Sequence, residues 1–196
     1  MSEDLFKPKT EPESPGEEEK EGFRQDLFFW LQALVAALIV LVVLFTFFGR
    51  IIGVDGSSMF PTLNDRDLLL LQSIGYDPEP GDVVVLHKDF GHVTGPIVKR
   101  VIAVGGQTVS IDYTAGTVTV DGVVLDEPYI REPMRPVVFE DIQNITVPEG
   151  SIFVMGDNRN DSDDSRDVRL GAVDERYVIG RVLFVLFPFK HLGAVH

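Results

Sequence analysis

Two stretches of this chain hold single residues whose type and setting could support covalent chemistry. The first is Ser58, inside Gly56-Ser57-Ser58-Met59-Phe60-Pro61-Thr62-Leu63. A nucleophilic serine needs a base to take its proton and N–H donors for the oxyanion that forms. A glycine two residues earlier lets a substrate carbonyl approach the backbone closely. Taken alone, such a serine is equally well a turn former between glycine and proline. The second is Lys99, in Pro96-Ile97-Val98-Lys99-Arg100-Val101-Ile102-Ala103-Val104. Strand alternation puts Lys99 on one face with Ile97 and Val101, and Arg100 on the other with Val98 and Ile102. Among β-branched neighbours an ammonium loses water and its pKa falls, and only the neutral amine can act as a general base. The plain alternative is an edge lysine that blocks strand aggregation.

A third stretch follows an apolar strand: Gly156-Asp157-Asn158-Arg159-Asn160-Asp161-Ser162-Asp163-Asp164-Ser165-Arg166. Alternating Asp and Asn suggest a calcium loop, but an EF-hand loop wants glycine at its sixth position and glutamate at its twelfth. Counted from Asp157, those positions hold Ser162 and Val168. The two arginines set among the acids argue instead for an internal network of ion pairs, in which Ser162 or Ser165 could orient a lysine amine.

These residues must be positioned by very different elements. Leu27 to Phe48 is an apolar run of 22 residues. At about 1.5 Å per residue it reaches roughly 33 Å, enough to cross a hydrocarbon core of roughly 30 Å. It is longer than the apolar part of a cleaved secretory signal and leaves through Phe47-Phe48-Gly49-Arg50, which is no cleavage site. It is also apolar all round, unlike a core helix. Phe28, Phe29 and Trp30 suit an interfacial belt, and Lys20 and Arg24 before the run favour a cytoplasmic N-terminus. Residues 1–26 carry nine acids against four bases and several prolines, which predicts a disordered acidic tail. The net charge of −14 argues against nucleic-acid binding, and the lack of cysteine excludes disulfides and thiolate chemistry.

After the helix the chain reads as short Val- and Ile-rich runs separated by Gly, Pro, Asn and Asp. Strands are expected at 67–72, 82–87, 97–104, 108–112, 117–120, 152–155 and 182–186. Asp121-Gly122 predicts a hairpin turn. The fold class is mainly β: one transmembrane helix, 27–48, followed by an all-β domain, 49–196, in which about 107–148 forms a small inserted β segment.

Taken together, the apolar run, the G-S-S-M-F-P-T-L string, the I-V-K-R segment with its Gly105-Gly106, and G-D-N-R-N-D-S-D-D-S-R resemble the type I signal peptidases. These are membrane-anchored Ser/Lys proteases that cut signal peptides from exported proteins, and the likeness extends from 27 to 187. It implies Ser58 as nucleophile, Lys99 as general base and Ser162 as the hydroxyl that orients the lysine amine. Asp157, Asp164 and Arg166 match supporting residues. Gly56 stands where the best-known two-span members have a serine whose hydroxyl helps hold the oxyanion, and glycine there resembles the single-span Gram-positive subgroup. Gln107 replaces a frequent Asp and is expected to act on a turn alone. The family cuts after Ala-x-Ala, and by position Val54, Met59, Leu63, Ile97, Val98 and Met155 would line the small-residue pockets. Each is equally a core residue.

The resemblance implies no metal or organic cofactor. It implies preprotein signal peptides, the lipid bilayer and the protein-export machinery as partners, and a catalytic domain outside the cytoplasmic membrane. A degenerate binding module is the rival, and it gives no reason for Ser58, Lys99 and Ser162 to occur together. A Ser/His hydrolase using His87 or His92 is another, weakened because Lys99 fills the base position.

Overall fold

The computed structural model describes residues 15–47, 50–87, 95–135 and 142–195. The first unit is one helix, α1 (Pro15–Phe47), 33 residues long. Within it Gly22–Val43 is apolar and long enough to span a bilayer. The helix starts before the apolar run, so the tail expected to be disordered through residue 26 is helical from Pro15 onward. Proline suits the first helical position, and the Glu- and Lys-rich residues after it are good helix formers, so propensity carries the helix beyond the apolar run. Residues 1–14 lie outside the described part.

The second unit is built on antiparallel strands. They are β1 (Arg50–Gly53), β2 (Leu68–Gln72), β3 (Val83–Leu86), β4 (Ile97–Val104), β5 (Thr108–Asp112), β6 (Thr117–Val120), β7 (Val123–Val124), β8 (Asn144–Thr146), β9 (Ser151–Met155), β10 (Val173–Asp174), β11 (Val178–Phe187) and β12 (Gly193–Ala194). The main sheet runs β1-β2-β11-β3-β4-β9-β10, with β12 on β11. The inserted sheet runs β7-β6-β5-β8. The Asp-Gly hairpin forms as expected, with Asp121 and Gly122 both at positive φ (50° and 81°), as a type I′ turn requires. The strands not anticipated, β1, β8, β10 and β12, are two to four residues long.

Strand β3 is buried on both faces. Val83 and Val85 join a cluster with Val54, Met59, Leu63, Leu69, Leu71 and Val98. Val84 and Leu86 join another with Val101, Ile152 and Val154. The inserted sheet has no separate core: its Val109, Ile111, Val118 and Val120 pack with Ile102, Ala103, Phe153 and Met155 of the main sheet. It is therefore an outgrowth of the main domain, fixed to the strands that carry the candidate site.

Candidate active site

Ser58 lies in a tight turn between β1 and β2. The Phe60 N–H bonds the Ser57 carbonyl (3.0 Å) and the Leu63 N–H bonds the Met59 carbonyl (2.9 Å). Met59 and Leu63 drop into the core and anchor the turn from below. Gly56, at φ 96°, opens it; its N–H donates to Asp65 Oδ1 at 3.0 Å. An L side chain rarely adopts that backbone angle, so glycine is the natural residue there. Among the described residues the Ser58 N–H meets no acceptor.

Lys99 stands on β4 just beyond the end of β9. The β4–β9 ladder begins at Arg100↔Met155, so among the described residues β4 has no strand partner on that side at 97–99. The Lys99 side chain is 3 % exposed and its Nζ donates to Ser58 Oγ at 2.7 Å. Burial holds its pKa below the ordinary lysine value, against the opposing pull of Asp164 and Asp163. Ser58 and Lys99, 41 residues apart in sequence, thus meet at hydrogen-bond distance.

The loop after β9 supports both. The Asn158 N–H donates to the Ser58 carbonyl (3.0 Å), and Asn158 Nδ2 to the Ser57 carbonyl (3.2 Å). Ser57 Oγ donates to Asp161 Oδ2 at 2.6 Å. Asp164 is buried and pairs with Arg166 through Nε (2.7 Å), while its other oxygen accepts the Gly156 N–H (2.9 Å). Burial alone would raise the Asp164 pKa; the charge and hydrogen bonds of Arg166 outweigh it and hold it below the usual range. Asp157, fully buried, receives Arg100 Nε and Nη2 at 2.9 and 2.7 Å and the Thr62 hydroxyl. These acids serve an ion-pair network, as the interleaved arginines suggest.

Ser162 Oγ is buried and has no hydrogen-bond partner among the described residues, so a bond to the Lys99 amine is not formed here. It packs instead against Gly156. A β-carbon on Gly156 would stand 2.3 Å from Ser162 Oγ and 2.5 Å from the Ser58 carbonyl oxygen. Gly156 therefore lets Ser162 and Ser58 approach from its two neighbours, a role that a glycine after a strand signals only weakly in sequence. Of the expected pocket residues, Val54, Met59, Leu63 and Val98 share one core cluster. Ile97 packs on the second cluster and Met155 belongs to that of the inserted sheet. His87 is exposed, and His92 lies outside the described residues.

Residues 27–187 match the family described as signal peptidase, peptidase S26. The chain belongs to that family. A signal peptidase I of Bacillus licheniformis is 34% identical over 185 residues, covering 90% of this chain and 97% of its own. A probable signal peptidase I-1 of Synechocystis is 36% identical over 174 residues, covering 83% of each. A crystal structure of a signal peptidase I from Enterococcus faecalis is 31% identical, covers 54% of this chain and 97% of its own, and has a TM-score of 0.41. Signal peptidases of this family are serine endopeptidases, and this chain is an enzyme of that class.

Proposed function

We propose that this chain removes signal peptides from exported preproteins with Ser58 and Lys99 as its catalytic pair. The observation that carries the reading is the 2.7 Å contact between Lys99 Nζ and Ser58 Oγ in a buried setting that favours the neutral amine. Neutral Lys99 takes the Ser58 proton as Oγ attacks the scissile carbonyl. The Ser58 N–H serves the resulting oxyanion. The Lys99 ammonium then protonates the departing amine, the new N-terminus of the mature protein. That leaves an ester on Ser58. Lys99, neutral again, takes a proton from water, whose hydroxide attacks the ester; the signal peptide leaves with a C-terminal carboxylate and the proton returns to Oγ. Ser162 is given the role the resemblance implies, orienting the amine; its buried Oγ, free of any other hydrogen-bond partner among the described residues, is compatible with it.

The substrate would bind extended against the open side of β4 at 97–99, with cleavage after Ala-x-Ala. The apolar helix supports a membrane anchor with its N-terminus in the cytoplasm and the β domain outside. Ile51, Leu70 and Phe184 are paired across β1, β2 and β11, and Leu68 pairs with Phe187. Most of these are exposed, as are Phe189 and Leu192, which supports contact of this face with lipid. The test is incubation of the full chain in lipid with a preprotein carrying an Ala-x-Ala site, followed by N-terminal sequencing of the product. One new N-terminus directly after the final Ala is expected. No cleavage by a folded, lipid-bound chain would favour a binding module.

A further inference from the structure

The stretch 125–131, which follows β7 in the inserted segment, touches the candidate site through a circuit of buried and half-buried groups. The Arg100 guanidinium carbon sits over the Tyr129 ring, 4.0 Å from its centroid, and Arg100 is the strand neighbour of Lys99 and the partner of Asp157. The Tyr129 hydroxyl donates to Glu127 Oε1 at 3.0 Å. Glu127 in turn pairs with Arg159, whose Nη1 reaches Oε2 at 3.0 Å; both side chains are buried. Arg159 Nε donates to the Gly156 carbonyl (3.0 Å), and the Arg131 N–H donates to the Asp157 carbonyl (3.0 Å).

Residues 156–159 are thus held from two sides. On one side they bind the Ser57 and Ser58 carbonyls through Asn158. On the other they are bound by 127–131. Glu127 neutralises a buried arginine that has little water to turn to, so its carboxylate cannot be removed without moving Arg159. Moving Arg159 frees the Gly156 carbonyl and with it the backbone that fixes Ser58.

Resting on the proteolytic reading above, we infer that Glu127 and Tyr129 are positioning residues for the Ser58–Lys99 pair. They act through Arg159 and Arg100 and touch no substrate. The inserted sheet accordingly has a task in the chemistry: it delivers these two side chains to the back of the site.

The test compares Glu127→Gln, Glu127→Asp and Tyr129→Phe with the parent, as full chains in lipid. Two quantities are read: kcat and KM on a preprotein, and hydrogen exchange at the Asn158 N–H. In Glu127→Gln, exchange at Asn158 speeds up by about tenfold or more while amides of β3 and β4 keep their protection. Its kcat falls by roughly 10- to 100-fold, the scale of a small misplacement of reacting groups, with KM little changed. Glu127→Asp, which keeps the charge, lies between parent and Gln; Tyr129→Phe shows the same pattern more weakly. Should the Gln variant fail to fold, the Asp and Phe variants decide. Unchanged Asn158 exchange in the folded variants, or a kcat that only follows the folded fraction, overturns the inference. A parent that protects Asn158 yet cleaves nothing would instead count against the proteolytic reading, because exchange is read without turnover.

Discussion

Lys99 is the base in the proposed mechanism, and its burial makes two consequences measurable. Because only the neutral amine accepts a proton, kcat/KM rises with pH through the Lys99 pKa, which lies below the ordinary 10.5. A pH–rate profile that falls steadily from neutral into alkaline pH would contradict this. The second consequence is for stability. Between the lowered folded pKa and the ordinary value, the unfolded chain binds a proton that the folded chain does not, so stability increases with pH across that window. Lys99→Met should remove this part of the slope, seen as a smaller rise in Tm over the same pH range than the parent shows. Asp164 runs by the same linkage with its pKa lowered: its contribution is present above the usual carboxylate pKa and is lost as pH falls through the folded one. Asp164→Asn removes the buried carboxylate charge that pairs with Arg166 and should cost about 3–5 kcal/mol in denaturant unfolding. Ser58 and Lys99 stand out in sequence as candidates, but each alone has a plain alternative, and the roles proposed for them come from the resemblance of the motifs taken together. The resting state of Ser162 was not legible, because a hydroxyl that packs against a glycine without a bond leaves no pattern in sequence.

At the scale of elements, the end of β9 at Met155 is decisive. It opens one side of β4 at 97–99 and turns the chain at Gly156, where Ser162 and the Ser58 carbonyl occupy the space a β-carbon would need. Gly156→Ala should therefore lower kcat by about 100-fold or more, as expected for displaced reacting groups, with the fold retained by circular dichroism. Adding Ser162→Ala should not restore activity, because the Ser58 carbonyl is backbone and remains 2.5 Å from the added carbon. Recovery in the double variant would mean that Ser162 alone sets the limit. The longer strands were legible from alternation and turn residues: 97–104, 108–112 and 117–120 have the expected bounds. β1, β8, β10 and β12 were not, since two to four residues carry too little periodicity to separate a strand from a loop. Nor was the meeting of Arg100, Tyr129, Glu127 and Arg159, which come from three stretches joined only by the fold.

For the whole molecule, the proposed function gives the apolar helix the task of holding the chain at a bilayer and the β domain that of cutting peptide bonds. Helix-forming residues before the apolar run carry α1 beyond the 22 residues long and apolar enough to span a bilayer. If the apolar face of β1, β2 and β11 lies on lipid, Phe184→Glu combined with Phe187→Glu should slow cleavage of a lipid-embedded preprotein by roughly fivefold or more. Cleavage of a short water-soluble peptide should be unaffected, and equal losses on both substrates would assign these rings to folding instead. The central claim, that Ser58 is acylated with Lys99 as its base, is tested most directly by stopping turnover on the full chain in acid and mapping the adduct by mass spectrometry. The account predicts an acyl group carrying the C-terminal part of the signal peptide on Ser58 in the parent, and none in Ser58→Ala or Lys99→Ala. Turnover with the adduct on another residue, or an undiminished Ser58 adduct in Lys99→Ala, would contradict it.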